Sequence, residues 1–167
     1  NTTDEGNAMV LGGGATPNVY TAGYTTTSTN SEQNGIVIKY NNAGAQQWAT
    51  AIAGTATGTG THDRALAIAI DASENTYVTG YRCNTTGSTD IYTSKIDATG
   101  AIQWTTDYNG SGSNSLDQGL SVAVDASGNV YTAGYATNAS GEDYVLIKYN
   151  SAGLQQWIKT FNGTNNT

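Results

Sequence analysis

The chain has 167 residues and a formal charge of −7, from 13 acidic and 6 basic side chains. That length suits one compact domain burying roughly 70% of its unfolded surface, and 9% aromatic residues with only 11% charged argue against disorder. So few cations argue against a nucleic-acid partner, and no run approaches the ~20 apolar residues of a membrane helix.

In chain order, the first clear run is Val19-Tyr20-Thr21-Ala22-Gly23-Tyr24. A long loop is predicted over 25–34, then Lys39, a tight link Asn41-Asn42-Ala43-Gly44, then Trp48. A second long loop over 54–62 carries the only histidine, His62. The pattern then repeats. Asp71-Ala72-Ser73-Glu74-Asn75 is a tight turn into Thr76-Tyr77-Val78-Thr79-Gly80-Tyr81, followed by a loop over 82–89, Lys95, the turn Asp97-Ala98-Thr99-Gly100 and Trp104. After a loop over 110–116, the third copy shows all four runs: 120–124, 130–135, 144–149 and 154–161. Its turns are Asp125-Ala126-Ser127-Gly128-Asn129 and Asn150-Ser151-Ala152-Gly153, with a longer link over 136–142. β-Branched and aromatic runs between Gly/Asn/Asp/Ser turns read as strands. No window shows helical periodicity over ten or more residues.

The copies are in phase. The first tyrosines are 57 and 54 residues apart, and Trp48, Trp104 and Trp157 follow at 56 and 53. Lys39, Lys95 and Lys148 recur, as do Gly44, Gly100 and Gly153. The repeats occupy residues 4–54, 63–110 and 117–163. In an up-and-down meander alternate links share an end, so the short turns are predicted on one face and the long loops on the other. Four antiparallel strands every ~50 residues is the unit of a β-propeller blade. The predicted fold class is therefore all-β, with three four-stranded meanders.

The residues also resemble a family. Asp-x-x-Gly-Asn-Val-Tyr-x-x-Gly-Tyr, then Asp-Tyr-x-x-x-Lys-Tyr-Asn-x-x-Gly-x-x-x-Trp, is similar to the prokaryotic SBBP β-propeller repeat. Residues 125–161 match closely, and 71–108 match with Ile96-Asp97 in place of Tyr-Asn. The first copy departs most: Gly14 replaces the turn Asp, and Ile52 the terminal aromatic. The resemblance implies an extracellular propeller of mostly unassigned function. The Gly-x-x-x-Trp ending also resembles quinoprotein-type blades.

Three blades are too few to close a propeller, where four to eight are typical. Residues 161–167 joined to 1–4 would reproduce the link 108–117, and the repeat period would close at 56. The expectation is self-assembly: two chains forming a six-bladed ring, or one stretch of a longer array or filament. A lone stack would leave two apolar faces bare, which soluble monomers avoid.

Candidate chemistry is sparse. His62, before Asp63-Arg64, has no Gly-x-Ser-x-Gly elbow to serve, and reads as a solvated loop residue. Cys83 is alone, which excludes an intrachain disulfide and a cysteine zinc cluster; it reads as a loop or surface thiol. Asp71 and Asp125 open Asp-x-Ser-x-Asn turns: capping of their own turns is the simpler reading, Ca²⁺ the sharper one. Asp90 and Asp143 recur at strand starts, with Asn34 in copy one. Lys39, Lys95 and Lys148 read as partly buried cations paired with a repeat carboxylate such as Asp63 or Asp117, or as a ring binding an anion. Trp48, Trp104 and Trp157 read as blade core. Sequons at Asn84, Asn109, Asn138 and Asn162, with Asn1 and Asn165 near the ends, fall in the long loops and are candidate glycan sites. No catalytic residue, cofactor site or metal set beyond the weak Asp71 and Asp125 candidates emerges.

The Thr/Asn/Gly/Ser-rich, lysine-poor composition reads as a secreted or cell-surface protein, of prokaryotic type. A structural protein acting by assembly with itself, in a fibre or surface layer, accords best with whole repeats and no catalytic constellation. An adhesive or lectin-like propeller, binding glycans or surface proteins by its long-loop face, is the alternative. Glycosidase or quinoprotein chemistry rests on fold analogy alone.

Overall fold

The computed structural model describes residues 3–27, 31–56, 61–85, 88–112, 116–138 and 141–163. The sequons at Asn1 and Asn165 lie outside these residues, as do the middles of the loops expected at 25–34, 54–62 and 110–116. The described residues form strands and turns without a helix. The first four strands are β1 (Glu5–Leu11), β2 (Val19–Thr26), β3 (Gln33–Tyr40) and β4 (Gln46–Ile52). Next come β5 (Arg64–Ile70), β6 (Thr76–Thr85), β7 (Ser88–Ile96) and β8 (Ile102–Tyr108). The last are β9 (Gln118–Val124), β10 (Val130–Asn138), β11 (Gly141–Tyr149) and β12 (Gln155–Phe161). Each set of four is a separate antiparallel meander in sequence order, here sheets 1, 2 and 3.

The sheets pack face to face. One apolar core lies between sheets 1 and 2 and includes Ala22, Val37, Val78, Tyr92 and Ile96. The other lies between sheets 2 and 3 and includes Tyr77, Ile91, Val130, Val145 and Tyr149. Burial along the third strands follows from this order. In β7 of the middle sheet nearly every residue is buried, whichever way it points. In β3 and β11 burial alternates, because each outer sheet has only one covered face. First strands carry much of the contact: β5 packs on β1, β2 and β3, and β9 on β5, β6 and β7.

The tight turns are built by their first residue. Asp71 Oδ1 accepts the N–H groups of Ser73 and Asn75 at 2.9 and 3.0 Å. Asp125 does the same for Ser127 and Asn129. Asn41, Asp97 and Asn150 cap the third-to-fourth-strand turns in the same way. These are Asx turns. The repeated Gly-Tyr pair has a different cause. Each first strand bulges against its second strand. The bulge brings the carbonyl oxygens of Glu5, Arg64 and Gln118 over Gly23, Gly80 and Gly134, where a Cβ would stand only 1.9 Å away. No larger residue fits that approach.

Two expected long links are short hairpins. The loop predicted over 82–89 is largely strand, with Thr85 paired to Ser88. The loop over 136–142 is likewise strand, with Asn138 paired to Gly141. Side chains close both hairpins: Asn84 Nδ2 donates to Asp90 at 2.9 Å, and Asn138 Nδ2 to Asp143. In these polar runs alternation of apolar residues ends before the pairing does. Cys83 also differs from the expected surface thiol: it lies in β6 and is buried.

Candidate functional site

The residues singled out by repetition converge on the two sheet-to-sheet interfaces. Trp48 and Trp104 extend from the fourth strand of one sheet onto the third-to-fourth-strand turn of the next. Trp48 Nε1 donates to Ala98 O, and Trp104 Nε1 to Ser151 O, both at 3.1 Å. Beneath the indoles lie Gly100 and Gly153. A Cβ on Gly100 would stand 2.9 Å from Trp48 Cγ, and one on Gly153 2.7 Å from Trp104 Cδ2. Two residues on, Thr50 and Thr106 donate their hydroxyls to Gly100 O and Gly153 O at 2.6 and 3.0 Å. Trp, Thr and Gly thus make a latch that occurs twice.

A second contact staples the chain where it crosses between sheets. Buried Asp63 accepts the N–H groups of Gly54 and Cys83 at 2.6 and 2.7 Å. Buried Asp117 accepts those of Gly110 and Thr137 at 2.5 and 2.7 Å. Burial pushes the Asp63 carboxyl up, against the opposite pull of its two N–H donors. These aspartates are therefore not the partners of the repeat lysines.

The lysine partner, where one exists, is Glu74. Lys39 Nζ lies 3.0 Å from Glu74 Oε2 across the interface between sheets 1 and 2. The same carboxylate accepts Tyr20 OH at 2.7 Å and Asn18 Nδ2 at 3.2 Å. The corresponding donors in the other copies stay local: Asn75 and Tyr77 bond Asp71, and Asn129 and Tyr131 bond Asp125. Sheet 1 has Gly14 in place of that turn aspartate. Glu74 supplies the missing carboxylate from the neighbouring sheet, and does so at φ 61°, a left-handed conformation that its counterpart Gly128 adopts without strain. Hydrogen bonds from Tyr20 and Lys39 hold the Glu74 carboxyl below its ordinary range. Desolvation opposes charge on Lys39, but the bonds to Tyr20 and Glu74 outweigh it and raise the Lys39 ammonium. All three lysines sit over the ring of their own sheet's tyrosine, Lys39 over Tyr20 at 5.1 Å, Lys95 over Tyr77 at 5.5 Å and Lys148 over Tyr131 at 5.2 Å from the centroids, and Lys39 alone of the three adds an ion pair among the described residues. The three lysines occupy three separate sheets and are not gathered into one ring-like cluster by any contact among the described residues.

The remaining candidates are placed as follows. Asp71 and Asp125 have both oxygens engaged by donors of their own turn or strand. Desolvation opposes their ionisation, yet for Asp71 the Asn75, Tyr77 and Ser73 donors prevail and lower the carboxyl; for Asp125 the Asn129 donors lead in lowering it. No group of three or more metal-ligating side chains occurs among the described residues. His62 is exposed and bridges Gln33 by backbone pairing. Of the sequon asparagines, Asn84 and Asn138 lie in strands with their amide nitrogens bonded to aspartates, whereas Asn162 is exposed. Asn109 follows β8 in the link to sheet 3. Repetition alone did not reveal Glu74; the signal was the coincidence of Gly14 for Asp in copy one and Glu74 for Gly in copy two.

The chain matches no protein-family model and no curated protein.

Proposed function

We propose that the chain is a propeller-type repeat module with a structural role, acting by assembly at the cell surface or outside the cell. The observation that carries this reading is where the repeated polar residues are spent. Trp48, Trp104, Asp63, Asp117, Lys39 and the turn-capping acids hold turns and neighbouring sheets together. Three meanders whose mutual contacts run mainly through the first strands of sheets 2 and 3 are compatible with propeller blades, and the resemblance to SBBP repeats supports both that arrangement and an extracellular, prokaryotic setting. The test is the native location and state of the protein. Antibody labelling of the source cells should find it outside the membrane, in assembled material that releases it only under denaturing conditions. Recovery as a freely soluble protein inside the cell would overturn the reading.

A further inference from the structure

The two interfaces inside the chain show which surfaces a sheet needs on each side. Sheet 3 offers one half of that contact uncovered, and sheet 1 the other. On sheet 3, Phe161 is 67% exposed, while its counterpart Ile52 on sheet 1 is 2% exposed. Tyr144 is 49% exposed, while its counterpart Ile91 is fully buried. Leu120 is exposed at the bulge position from which Asn7 of sheet 1 reaches Ala65 O at 2.9 Å. On sheet 1, Met9 and Leu11 are 62% and 52% exposed, where sheet 3 has the largely covered Val122 and Val124. Beside them Ile36, Ile38 and Tyr40 line an open concavity, whereas Val145, Ile147 and Tyr149 at the same positions of sheet 3 are fully buried against sheet 2.

The polar latch is also split. Trp157 lies 6.2 Å from Tyr131 with the rings tilted by 58°. That is the pose of Trp48 on Tyr20, at 6.0 Å and 58°, and nearly that of Trp104 on Tyr77. The indole is thus already set for docking. Its natural receptor is the turn 41–44 of sheet 1, where Gly44 has the φ of Gly153, 80° against 79°, and nothing within 4 Å of where a Cβ would stand. Asp4, which accepts the Thr26 N–H at 2.9 Å, stands where Asp63 and Asp117 do; Gly163 stands where Gly54 and Gly110 do. One latch element is not carried over: Lys159 replaces Thr50 and Thr106.

We propose that sheet 3 of one copy docks on sheet 1 of a second copy, with Trp157 seated over Gly44 and donating to Asn42 O. This rests on the assembly reading above and names its contact surfaces. The interface is heterologous, one end meeting the other, so two copies close into a ring if the rotation permits and otherwise continue as a polymer.

The test uses the 167-residue chain and three variants, with particle mass read by light scattering and sedimentation. Met9→Lys/Leu11→Lys spoils the sheet 1 face, and Tyr144→Lys/Phe161→Lys the sheet 3 face. All four positions are exposed, and circular dichroism checks that each variant folds. The unaltered chain should assemble, as a closed pair or a polymer, and each double variant alone should stay monomeric. Mixed in equal amounts, the two variants retain one good face each and should form a particle of two chains and no more. Trp157→Phe, which keeps an aromatic ring but removes the indole N–H donor, should weaken association at least about fivefold. A monomeric unaltered chain overturns the proposal. So does a variant pair that fails to associate when mixed, or a single variant that still assembles. None of these three results depends on where the protein resides, so the interface and the cellular role fail separately.

Discussion

Glu74→Gly is the most informative single change, because it removes a strained residue and a cross-sheet carboxylate together. Glycine is what copy three uses at this position, and it should relieve about 1 kcal/mol of left-handed backbone strain. Against that, Tyr20, fully buried, loses the acceptor of its hydroxyl, which costs about 1–3 kcal/mol. Lys39, 9% exposed, loses its counter-ion. A partly solvated pair of this kind contributes about 1 kcal/mol after screening. The net expectation is a loss of about 2 kcal/mol at pH 7, read by urea unfolding. The pH dependence carries the mechanism. The folded carboxyl of Glu74 is held below its ordinary value, so its contribution is complete above the unfolded value of about 4.3 and is lost as pH falls through the folded one. The gap between the two proteins should therefore be constant from pH 7 to about 5 and close below the ordinary carboxylate range. On the alkaline side Lys39 is raised, so its share persists until pH climbs past the ordinary lysine range. A variant as stable as the unaltered chain at pH 7, or a gap indifferent to acid, would refute the argument.

Three further outcomes follow from the interfaces. Gly153→Ala and Gly44→Ala impose nearly the same φ strain, but only the first drives a Cβ to 2.7 Å from an indole; it should destabilise the monomer by about 1–3 kcal/mol more, whereas Gly44→Ala should chiefly weaken association. Equal losses in dilute solution would mean that the Trp contact contributes nothing. Asp117→Asn puts an amide NH₂ against one of two N–H donors, and should cost about 2 kcal/mol in thermal or urea unfolding; a neutral change would remove the staple. Cys83, buried in β6, should react with a thiol reagent only as fast as the sheet opens, and at the free-thiol rate in urea; rapid labelling of the native chain would contradict its placement.

Within a copy, the sequence was readily legible. Tyrosine, lysine, glycine and tryptophan recur at fixed phase, and each type has a local job that its neighbours reveal: Asp71 and Asn41 cap turns, and Val130 to Tyr135 forms a strand. Between copies the same period says nothing about which atom a side chain meets. Recurrence points Lys39 toward Asp63 or Asp117, because those acids recur with it. Yet their oxygens are taken by backbone N–H groups, and the true partner, Glu74, does not recur at all. The polar hairpins at Thr85–Ser88 and Asn138–Gly141 look like loops in sequence because strand pairing there is accompanied by Asn–Asp bonds rather than by apolar alternation. The burial of Cys83 is hidden for the same reason: it sits in that polar extension of β6.

The two interfaces divide their labour in a way that bears on which sheet neighbours which. Their latch is constant: an indole, a carbonyl and a glycine set the spacing and angle of adjacent sheets. Their interiors differ. Between sheets 1 and 2 an apolar core including Val37 and Val78 is accompanied by the Lys39–Glu74 pair. Between sheets 2 and 3, Thr93 and Thr132 share a buried hydroxyl bond at 2.8 Å, and no carboxylate faces Lys95 from the position of Glu74, which Gly128 holds. Exchanging sheets would part Lys39 from Glu74, and leave a buried threonine hydroxyl against valine where it now meets another threonine. A common latch with private interiors therefore lets repeated sheets stack alike while keeping their order. At the open ends Leu146 of sheet 3 would meet Thr21 of sheet 1, whose hydroxyl donates to Ile38 O of its own sheet at 3.5 Å, with Pro17 in the Glu74 position. That combination makes no demand for a buried charge pair, so association there depends on apolar contact and the Trp157 latch, and should be little weakened by salt.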